Sequence, residues 1–164
     1  MNGERVSADF YTSHHRLRGQ VDSRNQRLTD YLNDSLYSTV RMHDLEVSRL
    51  TEPQRTVFGA PHATVTKARI ILIALPERPK DYSTERIFKF VEKRPHDVML
   101  TAPPFEVQGQ LHLRGTGRLT TLLFREPGNF MPLTRATAVF SLFPEVAIRS
   151  QVIIVNRDYL EAIG

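Results

Sequence analysis

The chain has 164 residues, of which 40% are hydrophobic and 24% charged, a balance typical of a folded domain that excludes intrinsic disorder. It contains no cysteine, which excludes disulfide and thiol chemistry and fits a cytoplasmic protein. The net charge of +4 is spread evenly, with 12 basic against 10 acidic residues in 1–82 and 10 against 8 in 83–164, so no basic stripe points to nucleic acid.

Membrane association is not expected from the pattern of apolar residues. The longest apolar run, residues 70–75, is far too short to cross a bilayer. The first residues lack the apolar stretch of a signal peptide.

Each half of the chain begins with an alternating pattern around Gly-Gln. Residues 17–21 (LRGQV) and 107–111 (VQGQL) place apolar side chains two apart, the period of a half-buried strand. We predict one strand over about residues 9–22 and one over 97–113. A glycine inside a strand indicates a bend, a bulge or a close approach of backbone.

A helical turn follows each of these strands. Residues 27–32 (RLTDYL) and 118–123 (RLTTLL) carry apolar side chains at positions i, i+3 and i+4, which lie on one face of a helix. We predict that both turns bury this apolar face.

The next strand is irregular in the same way in both halves. Apolar residues occur at relative positions 0, 2, 5 and 7, where a regular strand would have 0, 2, 4 and 6. The extra residue falls at His43-Asp44 and at Thr134-Arg135, and it predicts a β-bulge in each copy. The matching positions are Val40, Met42, Leu45 and Val47 with Met131, Leu133, Ala136 and Ala138.

The β-branched runs 67–73 and 149–155 are predicted to be matching strands that are buried on both faces or nearly so. On this alignment, residues 50–64 form a longer loop in the first copy. We predict a first copy over 1–76, a connecting segment over 77–96 and a second copy over 97–164. Residues 83–94 fit either a helix or a strand, with the strand favoured.

Six residues are candidates for binding. Arg27 and Arg118 each begin a helical turn and either clamp an anion together or bond to nearby loops, with the second role favoured. Asp30 follows Arg27, while His43, Asp44 and Arg135 occupy the two bulges, which re-aim side chains. No catalytic residue, metal-ligand spacing or cofactor motif is identified, so we expect none of these.

Two segments resemble a family of bacterial conserved proteins of unknown function with the motifs R-L-[ST]-D-x-L-N and F-x-P-L-T-x-A. The first motif is present at residues 27–33 (RLTDYLN) and the second at 130–136 (FMPLTRA). The second copy departs from the family at Thr121, where the first motif has aspartate. This resemblance implies no activity.

The second half is also similar, more distantly, to Sm-like small barrels. The shared features are a glycine-bent strand at Gly109, a strand at residues 131–136 and a last strand broken by a turn at residues 155–159. That family binds RNA and forms rings. The arginine-glycine pair of its last turn is absent here.

We therefore predict a mainly β protein, built from two tandem related copies of a small bent sheet or barrel, Sm-like or SH3-like, each with one short helical turn. The favoured function is a non-enzymatic binding or scaffolding module that forms a homo-oligomer through exposed sheet edges. A separate protein partner, nucleic-acid binding by the barrel face and an enzyme without a recognisable site are the alternatives.

Overall fold

The computed structural model describes residues 5–76, the first half, and 93–164, the second half, and the protein is mainly β. In chain order the elements are β1 (Arg5–Tyr11), β2 (His15–Asp22), α1 (Leu28–Asn33), β3 (Thr39–Arg49), β4 (Glu52–Thr66), the 3-10 turn η1 (Lys67–Arg69), β5 (Leu72–Leu75), β6 (Lys93–Ala102), β7 (Phe105–Arg114), α2 (Leu119–Arg125), β8 (Phe130–Phe140), β9 (Phe143–Asn156), the 3-10 turn η2 (Arg157–Tyr159) and β10 (Ala162–Ile163).

The ten strands form one sheet in the order β10-β6-β7-β8-β9-β5-β1-β2-β3-β4, with antiparallel neighbours throughout. The first half contributes the order β5-β1-β2-β3-β4 and the second half the order β10-β6-β7-β8-β9. Each strand of the first half therefore has a counterpart at the same place in the second half, from β5 and β10 to β4 and β9. The halves meet where β5 pairs with β9. A tandem duplication would produce this common order, and the duplication itself stays a prediction.

Two hydrophobic cores lie on the two sides of the β5–β9 pair. Ile73 and Ile154 belong to the first core, which the first half surrounds, and Leu72 and Ile153 belong to the second. All four side chains are fully buried. This confirms the prediction for residues 70–73 and 152–155, through which the halves pack. The start of each run differs from it, because residues 67–69 form η1 with Ala68 and Arg69 exposed, and because Arg149 and Gln151 are exposed.

Both helical turns bury the predicted apolar face. In α1, Leu28, Tyr31 and Leu32 pack in the first core, and in α2, Leu122 and Leu123 pack in the second. Helices this short have little stability of their own, so these apolar contacts hold them against the sheet.

In each half, the bulge packs closely against the glycine of the neighbouring strand. Asp44 and Arg135 have positive φ angles of 52° and 49°, which are the left-handed residues of the two predicted bulges. The backbone of each bulge approaches the glycine of the neighbouring strand. A Cβ atom on Gly19 would lie 2.8 Å from the His43 carbonyl oxygen, and one on Gly109 would lie 3.1 Å from the Ala136 Cβ.

Alanine at position 19 is expected to destabilise the protein by about 1–3 kcal/mol, because the added methyl group meets backbone that cannot move away. Chemical denaturation followed by circular dichroism measures the change. Gly164→Ala is the control, since no atom lies within 4 Å of a Cβ there. Equal stability of Gly19→Ala and the wild type would contradict the close approach.

Each of the two segments that were predicted to be a single strand is in fact a hairpin of two strands. Residues 9–22 form β1 and β2 with a turn at residues 12–14, and residues 97–113 lie in β6 and β7 with a turn at Pro103-Pro104. The prediction of one strand was wrong because the apolar alternation continues on both sides of the turn. Each Gly-Gln pattern belongs to the second strand of its hairpin.

The closing part of the first half also differs from the prediction. Residues 50–64 are not a loop, because β4 covers Glu52–Thr66, and its prolines are tolerated at the edge of the sheet. The runs 67–73 and 149–155 are not equivalent, since β5 and β9 are paired neighbours. By strand order, β4 matches β9 and β5 matches β10.

The predicted connecting segment, 77–96, lies largely outside the described residues. The choice between helix and strand for 83–94 falls there too, except that residues 93 and 94 open β6.

Candidate functional site at the junction of the two halves

The junction between the halves begins with four backbone pairs, from Leu72 opposite Val155 to Leu75 opposite Val152. Asn156 extends it. Its backbone N–H donates to the Ile71 carbonyl at 2.9 Å, and its side-chain amide donates to the Ile70 carbonyl at 2.8 Å. Because Asn156 is only 2% exposed, these bonds satisfy polar groups that water does not reach.

A second side-chain amide joins α1 to the start of β8. The Asn33 Nδ2 donates to the Phe130 carbonyl at 2.9 Å, and its Oδ1 accepts from the Phe130 N–H at 2.8 Å. The chain passes close to this amide at Gly128, where a Cβ would lie 2.5 Å from the Asn33 Cγ. This two-bond contact fixes the position of α1 over the second half.

One cation holds the C-terminal end of each helix. The Lys67 ammonium donates to the carbonyls of Tyr31 and Asp34 at 3.2 and 3.0 Å. In the second half, the Arg157 Nη1 donates to the carbonyls of Leu123 and Glu126 at 3.0 and 3.1 Å. A cation here also meets the negative end of the helix dipole. Burial lowers the pKa of Lys67 below its usual value.

A cleft of about 230 Å³ opens between α1 and the outer face of the second half. On the α1 side, the Arg27 guanidinium binds the Asp30 carboxylate with distances of 2.9 and 3.2 Å. On the opposite side, His112 Nε2 and Thr134 Oγ1 lie 2.8 Å apart. The other charged groups that line it are Lys93, Arg114, Glu126 and Arg157.

The corresponding outer face of the first half is exposed at Arg41, His62 and Thr64, and no helix of residues 5–76 or 93–164 lies over it. A shallow hollow there is lined by Arg41, His43, His62, Ala63 and Thr64. By the alignment of the two bulges, this face of β3 corresponds to the face of β8 that lines the cleft. Within the described part of the chain, the face that α1 covers in the second half is therefore left open in the first half.

The structure distributes the six predicted binding residues over separate places. Arg27 and Asp30 line the cleft together. Arg118 precedes α2 and is exposed, and it is not among the residues around the cleft. The remaining three lie at the bulges: His43 and Asp44 in β3, and Arg135 in β8.

Four residues at this site were missed from the sequence: Asn33, Asn156, Lys67 and Arg157. Lys67 and Arg157 each follow directly after the fourth strand of their half, so an alignment of β4 with β9 would have paired them. The two asparagines bond across the junction, and their counterparts Phe124 and Thr66 are of a different type. No repeat-based signal could have identified them.

Comparison with protein-family models, with curated proteins and with solved structures gave no match. Among the described residues, no group of three or more histidine and acidic side chains is arranged to hold a metal ion. No helix in the described part of the chain is both long and apolar enough to cross a membrane.

Proposed function

We propose that the protein is a non-enzymatic scaffolding module that assembles head to tail by pairing β10 of one copy with β4 of the next. One observation carries this proposal. The chain already contains such a junction, β5 against β9. The strands in the corresponding places, β10 and β4, are the two ends of the sheet that the described residues form. Each copy thus carries at its two sheet ends the counterparts of the two strands that pair at its internal junction.

Matching backbone hydrogen bonds before β10 and before β5 support the correspondence of these two strands. Glu161 donates to the Thr101 carbonyl at 2.8 Å, just as Ile71 donates to the Tyr11 carbonyl at 2.9 Å. The Ile71 carbonyl accepts from Asn156 on the far side of β5. In the assembly, the Glu161 carbonyl accepts from Thr66 of the next copy.

The edge of β4 is more polar than β9. The matching positions, read from the ladders on β3 and β8, are His62 and Val152, Thr64 and Ile154, and Thr66 and Asn156. Less apolar surface is buried at such a contact, so it is weaker than the internal junction and reversible.

An apolar side chain is also available next to this edge. Phe124 in α2 occupies the place of Asn33 in α1, and it is 75% exposed. In the assembly α2 lies over the uncovered face of the next copy's first half, where Phe124 approaches the start of β3. Head-to-tail contacts of this kind close into a ring or continue as a filament.

Sedimentation velocity at protein concentrations from about 5 to 500 μM tests this proposal. We expect the average mass to rise above 18.8 kDa with concentration. Thr64→Lys is expected to abolish the rise, whereas Thr64→Ile makes β4 resemble β9 and strengthens it. Thr56→Lys, on the same strand outside the matching stretch, is the control. A mass that stays monomeric throughout, or a rise that Thr64→Lys leaves unchanged, would contradict the proposal.

Nucleic-acid binding is the second candidate, favoured by the four basic side chains of the cleft: Arg27, Lys93, Arg114 and Arg157. Three of them already contact protein groups, which weakens the case. Fluorescence anisotropy with short RNA and single-stranded DNA at about 50 and 200 mM salt tests it. Binding that falls steeply with salt and is lost in Arg27→Ala would support this candidate, and no binding at the lower salt would remove it.

A further inference from the structure

Two histidines face each other on the outer side of the β3–β4 hairpin. His43 and His62 are directly opposite in the ladder, and their Nδ1 atoms are 3.2 Å apart. The rings are nearly perpendicular, at 84°, with centroids separated by 5.3 Å. His43 is half-buried and His62 is exposed, so solvent reaches the pair.

The 3.2 Å separation is that of a hydrogen bond between the two rings, and it is also close to the spacing of two ligands on one metal ion, which would replace that bond. Zinc binds histidine nitrogen at about 2.0–2.1 Å, so two nitrogens at a tetrahedral angle are ~3.3–3.4 Å apart. We propose that His43 and His62 form a two-ligand site for a divalent first-row transition metal of the Zn²⁺, Ni²⁺ and Cu²⁺ class, with water in the remaining positions. Imidazole is a ligand that suits all three ions.

The surroundings leave room for the ion. The hollow at this point is lined by the two histidines with Arg41, Ala63 and Thr64, and it opens to solvent. Arg41 is part of this lining, and its positive charge opposes a metal cation. The affinity therefore comes from chelation by the two imidazoles, both of which have to be neutral.

The site is independent of the proposed assembly, because one chain supplies both ligands. The metal site and the proposed contact between copies do, however, both involve β4. His62 occupies the place that Val152 has at the internal junction, where the side chain is fully buried. A hydrated ion on His62 is expected to oppose addition of a second copy at β4.

Calorimetric titration of untagged protein with ZnCl₂, and separately with CuCl₂, tests the site at about 20 μM chain, a concentration chosen to keep the weak assembly dissociated. We expect one ion per chain with a micromolar Kd and tighter binding of copper, following the Irving–Williams order. His43→Gln and His62→Gln are each expected to weaken binding at least 10-fold. His14→Gln, an exposed histidine in the β1–β2 turn, is the control.

Three results would overturn the proposal: no binding up to about 1 mM metal, a Kd that is unchanged when His43→Gln and His62→Gln are combined in one chain, or a loss in only one of the two single variants. Circular dichroism of the variants checks that they fold. Because neither side chain belongs to a hydrophobic core, we expect spectra like that of the wild type. Loss of metal binding without change in the concentration dependence of mass would leave the assembly proposal standing.

Discussion

Replacing Ile154 with lysine is expected to unfold the protein, whereas lysine at the matching position Thr64 leaves the fold intact. Ile154 is fully buried in the first core, where an ammonium group finds neither water nor a partner. The expected cost exceeds about 4 kcal/mol, a large part of the stability of an ordinary domain. Thr64 is exposed on β4, the last strand of the sheet in the described residues, so its lysine reaches solvent.

Thermal unfolding and near-ultraviolet circular dichroism measure both variants. Both variants place a lysine at matching strand positions, one buried beside β5 and the other exposed on β4. A folded Ile154→Lys variant would mean that the β5–β9 pairing is not part of the stable structure. An unfolded Thr64→Lys variant would mean that β4 is not a free edge.

Asn156→Ala is expected to lower the free energy of unfolding by about 2–3 kcal/mol. The substitution removes the bond to the Ile70 carbonyl and the bond from the Asp158 N–H, which are 2.8 and 3.0 Å long. It leaves the Ile70 carbonyl buried without that donor. Urea unfolding at constant m-value measures the change.

Thr66→Ala is the matched control for Asn156→Ala, because Thr66 ends β4 as Asn156 ends β9 but is exposed. Its expected effect is within about 0.5 kcal/mol. If both substitutions cost the same, the Asn156 amide does not hold the junction.

The local features of the fold follow from the sequence where short-range chemistry decides them. The 0, 2, 5, 7 spacing predicted both bulges, and Asp44 and Arg135 have the left-handed backbone that a bulge needs. The apolar triplets predicted α1 and α2 because a single helical turn sets which side chains share a face.

Long-range pairing could not be read in the same way. Residues 67–73 and 149–155 look alike because both lie between two cores, not because they hold the same place in each half. Strands of this composition pair equally well with each other or with a third strand. Only the strand order distinguishes these possibilities.

In the candidate sites too, residues that belong to a short-range motif were predicted and residues joined by long-range pairing were not. Arg27 and Asp30 stand out because they open a recognisable helical turn, and they line the cleft. His62 was not identified from the sequence, because its partner His43 is 19 residues away on another strand. No spacing motif joins the two residues, and the strand that contains His62 was predicted to be a loop.

Cross-linking between two cysteine variants tests the head-to-tail contact most directly, since the chain has no cysteine of its own. In the internal junction Ile73 lies opposite Ile154, and the matching pair between copies is Ile163 and Thr64. Opposite residues of antiparallel strands have Cα atoms about 4.5–5.5 Å apart, within the range that a disulfide spans. Mild oxidation of a mixture of Thr64→Cys and Ile163→Cys chains is predicted to join unlike chains, faster than a mixture in which Thr56→Cys replaces Thr64→Cys. Joining at the same rate in both mixtures, or joining only of like chains, would contradict assembly through β4 and β10.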